Sequence, residues 1–301
     1  MNPVVAAVEL GGTRASVTAG EAPDRCAEPI LLPTTTPVET LERLGDSLEA
    51  LRRDGRIFDR IGVASFGPLG VDPQRPGWGR IGPTPKAGWS GVDVAGVLQT
   101  RLGVPVIIDT DVNGAAMGEG RWGAARGCRS HAYVTIGTGV GVGVVVDSRP
   151  VHGLAHPEAG HLRPRRLRDD DFAGHCAWHG DCLEGLISGP ALRERLGAPA
   201  DELSDDHPVF DLVGAYLGEA LAMVTLVVSP ERIVVGGGVG RRPAVLAAAR
   251  HALAASLNGY VAQMAEQAEE FLAPPMLGSH SGLFGAMALA LAARGGLQSF
   301  A

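Results

Sequence analysis

Uninterrupted apolar runs long enough to cross a bilayer, about 18 residues or more, are missing from this 301-residue chain. The longest candidate, Leu217 to Val228, carries Glu219 and stops at Pro230, so no membrane partner is predicted. The opening Met-Asn-Pro-Val-Val has no basic segment, and its apolar run is too short for a secretory leader. A cytoplasmic protein is expected. Basic tracts are missing too: the net charge is −7, with acids and bases mixed along the chain, which argues against nucleic acid as a partner. Cysteine is scarce. Four cysteines in a cytoplasmic chain of this length read as metal ligands or isolated thiols rather than as a disulfide framework. Charged residues are only 20% and hydrophobic residues 45%, which excludes global disorder. That composition supplies apolar material for one large domain or two lobes of roughly 100–200 residues each.

Glycine, by contrast, is abundant at 43 residues, and no short repeat accounts for it. The glycines cluster at the ends of apolar runs, where tight turns need them. Val4–Leu10 ends in Gly11-Gly12-Thr13 and is followed by a second run over Ala15–Thr18, the pattern of a hairpin with a glycine turn. Pro37–Arg53 has helical spacing, with Leu41, Leu44, Leu48 and Leu51 on one face. Ile61–Ala64 and Val104–Ile108 are expected as buried strands, the second leading into a helix over Asn113–Trp122. Tyr133–Ile136, Gly137-Thr138-Gly139 and Val140–Val146 repeat the opening layout. This suggests a weak internal duplication, although so short a pattern can also recur by chance. Further helices are expected at Phe210–Val228, Pro243–Leu257 and Ser281–Arg294, with a strand at Ile233–Val235 running into Gly236-Gly237-Gly238. Alternating strands and helices predict an α/β chain. Its first lobe is expected over residues 1–117, completed by a C-terminal helix at about 285–301. The second lobe is expected over residues 118–284.

Each glycine turn alone reads most simply as a tight turn. Three after strands, two of them with Thr, suggest backbone N–H groups cradling phosphates, although none has P-loop or dinucleotide spacing. Asp109-Thr110-Asp111-Val112-Asn113 puts two acids directly after a strand. One of them can accept a proton from a substrate hydroxyl; equally, these residues can cap the following helix. Cys176-Ala-Trp-His179-Gly-Asp-Cys182, with His161 upstream, offers sulfur and nitrogen ligands suited to a closed, structural tetrahedral zinc site. Free thiols and surface histidines are the alternative, and His175, His156 and His152 compete for the fourth position. Glu158 and Glu184 flank this segment as candidate sugar acceptors or as solvated loop acids. Lys86-Ala-Gly88-Trp89 reads as a loop with one packed Trp, and Arg163 to Arg168 as a solvated hinge.

Taken in order, these segments resemble the ROK family of bacterial sugar kinases and repressors, within it the zinc-containing fructokinases, over nearly the whole chain. Glu9-Leu-Gly-Gly-Thr13-Arg14 is similar to the first phosphate motif, Ile136-Gly-Thr-Gly-Val-Gly141 to the second and Val235-Gly-Gly-Gly238 to the adenosine-side motif. Thr110-Asp-Val-Asn113 is similar to the catalytic segment, and Glu158-Ala-Gly-His161 with the Cys/His run to the zinc signature. The resemblance implies an α/β, actin-like (ribonuclease H-like), two-lobed ATPase fold with an inter-lobe cleft. It implies ATP and a hexose as partners, and a homodimer. Asp111 takes the general-base position. The sugar lies near Thr110, Asp111, Glu158, His161, Glu184 and Lys86. Gly11, Gly12, Thr13, Arg14, Gly137, Thr138, Gly139, Gly236, Gly237 and Gly238 hold the nucleotide. Glu9 acts on Mg²⁺ through water, and His161, Cys176, His179 and Cys182 hold Zn²⁺. Glu9 and Arg14 replace the usual Asp and Lys, and His179 replaces a cysteine. Thr110 in place of Asn, with Thr84-Pro-Lys-Ala-Gly-Trp89, favours fructose over glucose, mannose being tolerated. Glucokinase, mannokinase and amino-sugar kinase activities are the rivals within the family. A non-catalytic sugar sensor or regulator is the rival of another class. A regulator would carry a helix-turn-helix ahead of the first hairpin, which here begins at residue 4.

Overall fold

In the computed structural model, which describes residues 4–261 and 268–293, two β-sheets organise the chain. The first contains β1 (Val5–Leu10), β2 (Arg14–Ala22), β3 (Arg25–Cys26), β4 (Ile30–Pro33), β5 (Ile61–Ser65) and β6 (Val106–Thr110). Their order is β3-β2-β1-β5-β6, with β4 also on β2. The second contains β7 (His131–Ile136), β8 (Val140–Val146), β9 (Arg149–Pro150), β10 (Arg232–Gly236) and β11 (Leu272–Ala273), in the order β11-β10-β7-β8-β9. In both sheets an antiparallel hairpin, β1–β2 or β7–β8, is extended from its first strand by two parallel strands. The layout repeated in the sequence is therefore repeated in topology.

A central strand covered on both faces must be apolar almost throughout, and β1 is: Val5, Ala6, Ala7, Val8 and Leu10 are fully buried. On one face Ala6, Val8 and Leu10 join Leu41, Leu44 and Leu48 of α1 (Pro37–Arg53) and Leu98 of α2 (Val94–Leu102). Thr36 caps α1 by accepting from Glu39 N, and Pro37 at its first position has no N–H to leave unpaired. The α2 helix, capped by Asp93 and ended by left-handed Gly103, was not read from the sequence, because its apolar residues are too few for a clear period.

In the second lobe α4 (Leu183–Ile187), α5 (Gly189–Leu196), α6 (Val209–Val228) and α7 (Pro243–Leu257) follow α3 (Asp111–Trp122), and the short α8 (Ala268–Phe271) precedes the closing α9 (Ser281–Ala292). By length and composition alone α6 is apolar enough to cross a membrane. Here its Phe210, Val213, Leu217 and Leu221 enter the second core beside Val245, Ala249 and Leu253 of α7.

The other face of β1 is covered from the far end of the chain. Leu283, Phe284, Ala286, Met287 and Ala290 of α9 pack on Val5, Ala7 and Ala64. Of the segment expected to complete the first lobe, residues 294–301 lie outside the described residues. Met117, where the lobe boundary was expected, falls inside α3. That helix meets Tyr133 and Val145 of the second sheet through Ala115 and Ala116.

Candidate active site

Leu10, Ser65 and Thr110 share one row of the first sheet. The residues that follow them, the Gly11 turn among them and Asp111 at the start of α3, therefore leave the sheet at the same edge, the carboxyl ends of parallel strands. The cap of α3 is Thr110, whose Oγ1 accepts from Asn113 N at 3.2 Å. Neither acid is spent on capping. Asp109 Oδ1 accepts from Thr110 N and Asn113 Nδ2, both at 2.8 Å, and Asp109 Oδ2 lies 2.9 Å from His152 Nε2. Asp111 alone is left facing the cleft, with Oδ1 accepting from Val112 N at 2.9 Å. Burial of its carboxyl and the nearby charge of Glu9, joined by that of Glu158, push Asp111 up to about 7. Such a carboxyl is matched to proton transfer near neutral pH. Thr110, expected among the sugar contacts, is buried, and its oxygen is occupied by the cap.

Glu9 reaches across to the first turn of α9, a span helped by its extra methylene over Asp. Burial raises its carboxyl above the ordinary range, against hydrogen bonds from the Ser16 hydroxyl, at 3.2 Å, and from Leu283 N–H. Gly282 makes room for it, since a Cβ there would lie 2.4 Å from Glu9 Oε1.

The first glycine turn closes through Gly11 N donating to Arg14 O at 2.9 Å, and leaves Gly12 and Thr13 exposed. Lys86, expected against the sugar, donates from Nζ to Gly12 O at 2.6 Å. Its loop is held by fully buried Trp89, whose Nε1 donates to Thr35 O at 3.1 Å and whose ring meets Phe66 edge-on at 5.2 Å. In the second sheet Gly236 is level with Thr135, so Gly137-Thr138-Gly139 and Gly236-Gly237-Gly238 leave side by side. Val239 N donates to Ile136 O at 3.0 Å, and Gly237, at φ +84°, passes so close that a Cβ would lie 2.3 Å from that carbonyl. Glu184, on α4, places Oε2 3.0 Å from Val140 N, which donates to it.

Between the lobes lies a cavity of about 270 Å³. Glu9, Arg14 and Asp111 line one side, and Tyr133, Thr135, Gly237, Gly238 and Arg241 the other, with Gly278, Ser279, Ser281 and Gly282 across an end. Gly11, Gly12, Thr13, Gly137, Thr138, Gly139 and Gly236 do not form its wall. Sequence reasoning missed Tyr133, Thr135, Arg241 and the 278–282 strip. The run of small residues before the closing helix and an Arg just after the third glycine turn were the available signals. Glu119 carried none. This fully buried acid in the last turn of α3 accepts from Ala124 N (2.7 Å), Met276 N (3.1 Å), Leu277 N (3.0 Å) and Ser281 Oγ (2.7 Å), which fixes the strip in place.

The ligand atoms of His161, Cys176, His179 and Cys182 lie within 4.8 Å of one another. His161 Nδ1 is 3.5 Å from Cys182 Sγ and 3.7 Å from Cys176 Sγ, and His179 Nδ1 is 3.7 Å from Cys176 Sγ. The competing histidines are elsewhere: His175 pairs with Glu194, while His152 and His156 touch the first lobe. Two thiols and two imidazoles suit a tetrahedral divalent ion with a closed shell. Because Nδ1 of His161 faces the sulfurs, its Nε2 is left for another partner. The segment leading into this cluster is tied down by Asp170, which takes bonds from Arg195 and Tyr216.

A hairpin extended by parallel strands in each of two lobes, with glycine turns and a carboxylate around an inter-lobe cavity, defines the actin-like ATPase fold. The ROK family profile matches residues 5–293, and the chain belongs to that family. It is 43% identical to a fructokinase of Zymomonas mobilis, over 95% of this chain and 96% of that one. It is 38% identical to a fructokinase of Pediococcus pentosaceus, over 96% and 98% of the two chains. The ROK hexokinase from Thermus thermophilus superposes with a TM-score of 0.77 at 27% identity, over 97% of this chain and 99% of that one.

Proposed function

We propose that this protein is an ATP-dependent hexose kinase that converts fructose to fructose 6-phosphate. The observation that carries the chemistry is Asp111: a carboxyl at about 7, on the wall of a cavity shared with the glycine turn of the opposite lobe. The two fructokinase relatives, similar over nearly their full length, support fructose as the hexose.

In this reading the sugar enters beside Glu158, Glu184, the free Nε2 of His161 and Thr110, and presents its primary hydroxyl to Asp111. Asp111 takes the hydroxyl proton as O6 attacks the γ-phosphorus, and ADP leaves with the electrons of the broken P–O bond. The transition state is loose, so alignment and charge neutralisation supply most of the acceleration. Backbone N–H groups of the glycine turns, with Arg14, Arg241 and Lys86, provide that neutralisation from both lobes. Mg²⁺, held through water by Glu9, would add charge neutralisation at the β- and γ-phosphates. Zn²⁺, held by His161, Cys176, His179 and Cys182, would brace the segment that carries His161 and Glu184. A homodimer in the cytoplasm is the setting that the family resemblance implies.

The test is a coupled ADP-release assay with ATP·Mg²⁺ against fructose, mannose, glucose, N-acetylglucosamine and N-acetylmannosamine. The highest kcat/KM is expected with fructose. A higher value with another sugar would overturn the substrate, and no turnover with any would overturn the kinase reading.

A further inference from the structure

Two histidines near the metal segment are left unexplained by it. His152 and His156 lie between β9 and the turn Ala159–His161, in a strap of the second lobe that crosses to the first. Three contacts fasten the strap. His152 Nε2 is 2.9 Å from Asp109 Oδ2, Leu69 N donates to His156 Nε2 at 3.2 Å, and Arg75 donates to Leu154 O at 3.4 Å.

Each histidine holds something used in the chemistry. Asp109, with a side chain only 4% exposed, spends its other oxygen on Thr110 N and Asn113 Nδ2, so it fixes the first turn of the helix that begins at Asp111. Burial disfavours a charged imidazole at His152, yet the bond to Asp109 prevails and raises its pKa above the ordinary value. His156, with a side chain 6% exposed, accepts at Nε2 from a backbone N–H, so its proton sits on Nδ1. That proton faces Pro157 O at 3.4 Å and Glu158 Oε1 at 3.5 Å. The Glu158 carboxylate, half exposed, has no other hydrogen-bonding or ionic partner among the described residues. At 3.5 Å the Glu158 contact is at the limit of hydrogen-bonding distance, and active-site contacts often tighten when substrate arrives.

We propose that His152 and His156 are positioning residues that set the sugar contact Glu158 against the base Asp111 across the cleft. The inference rests on the kinase reading and on Glu158 as a sugar contact. It gives the strap a purpose that metal binding does not. First-lobe backbone fixes the His156 ring, and the ring orients a second-lobe carboxylate. In the reverse direction, second-lobe His152 steadies first-lobe Asp109.

The experiment compares wild type with His156→Ala, His156→Gln, His152→Ala and His152→Gln. KM for the sugar, KM for ATP, kcat and Tm are measured, using the hexose that wild type turns over best. His156→Ala is expected to raise the sugar KM about three- to tenfold at unchanged ATP KM, and Gln, which can both accept and donate, to recover part of the loss. His152→Ala is expected to lower kcat by a similar factor. In a Glu158→Ala background the His156→Ala effect should shrink to less than twofold, because the group being positioned is gone. The inference fails if the alanine variants stay within twofold of wild type, if His156→Ala acts equally with and without Glu158, or if the ATP and sugar parameters fall together with Tm. Turnover of no hexose by wild type would overturn the kinase reading itself, and the strap's role with it.

Discussion

The ammonium of Lys86 lies 2.6 Å from the carbonyl oxygen of Gly12. A loop of the first lobe, pinned by the buried indole of Trp89, thus delivers a cation to the first glycine turn, which is proposed to hold phosphate. On the sequence resemblance Lys86 stands with the sugar residues. Its position argues for a part in phosphate charge neutralisation.

Replacing Lys86 tests that difference. Lys86→Met keeps most of the stem but removes the charge. It is expected to lower kcat by about 10- to 100-fold and to leave the sugar KM within about threefold, since loss of a charged contact made to the transferring group is felt in the transition state. Steady-state kinetics with each substrate varied separately read the two effects apart. A large rise in sugar KM at constant kcat would return Lys86 to the sugar.

As the proposed base, Asp111 is expected to set the pH dependence. The base must be ionised, and its carboxyl is pushed up to about 7, so kcat/KM for the sugar should climb about tenfold per unit below that value and level off above it. Glu9 is the larger of the two charges that raise it, so Glu9→Gln should move the limb to lower pH by more than Glu158→Gln does. Asp111→Asn should cost about 10²–10⁴-fold in kcat at pH 8.

The same shift has a sign for stability. Below the unfolded carboxyl value the group is protonated in both states. As pH rises towards 7 the unfolded chain releases the proton first, and the folded state is penalised. Asp111→Asn is therefore expected to be more stable than wild type at pH 8, on the order of 2–3 kcal/mol after allowance for its partial exposure, and equal to it below pH ~4. Urea unfolding at the two pH values reads this directly.

Asp170 behaves in the opposite sense. Burial disfavours its charge, but Arg195, Tyr216 and the Phe172 N–H outweigh that and hold it down at about 2. Its contribution, about 2 kcal/mol, is present above the unfolded value and lost as pH falls towards 2. Asp170→Ala leaves the largely covered Arg195 without its partner and should cost about 3 kcal/mol, seen as a lower urea midpoint at pH 7.

The Cys/His cluster predicts about one zinc per chain by elemental analysis of protein purified without chelator. The Cys176→Ser/Cys182→Ser double variant should lose the metal, together with protease resistance across residues 158–184. Retention of stoichiometric zinc by that variant would place the ion elsewhere.

The apolar periods and the glycine punctuation were enough to read the hairpins, the parallel strands β5, β6 and β10, α1, α6 and α7, because those elements are set by local pattern and burial, whereas the two-residue β11 was missed. The Cys-x2-His-x2-Cys spacing likewise carried three of the four clustered ligands, all on one short segment. What the sequence could not decide lies in long-range geometry. Whether Asp109 or Asp111 is free depended on Thr110 taking the cap and on His152 arriving from the other lobe. That His161 rather than His156 completes the cluster depended on where each backbone turn pointed. The 278–282 strip, held by Glu119, entered the site because α9 folds back across β1. A single chain shows no local trace of a contact between residues more than a hundred positions apart, because only the packing of the cores brings them together.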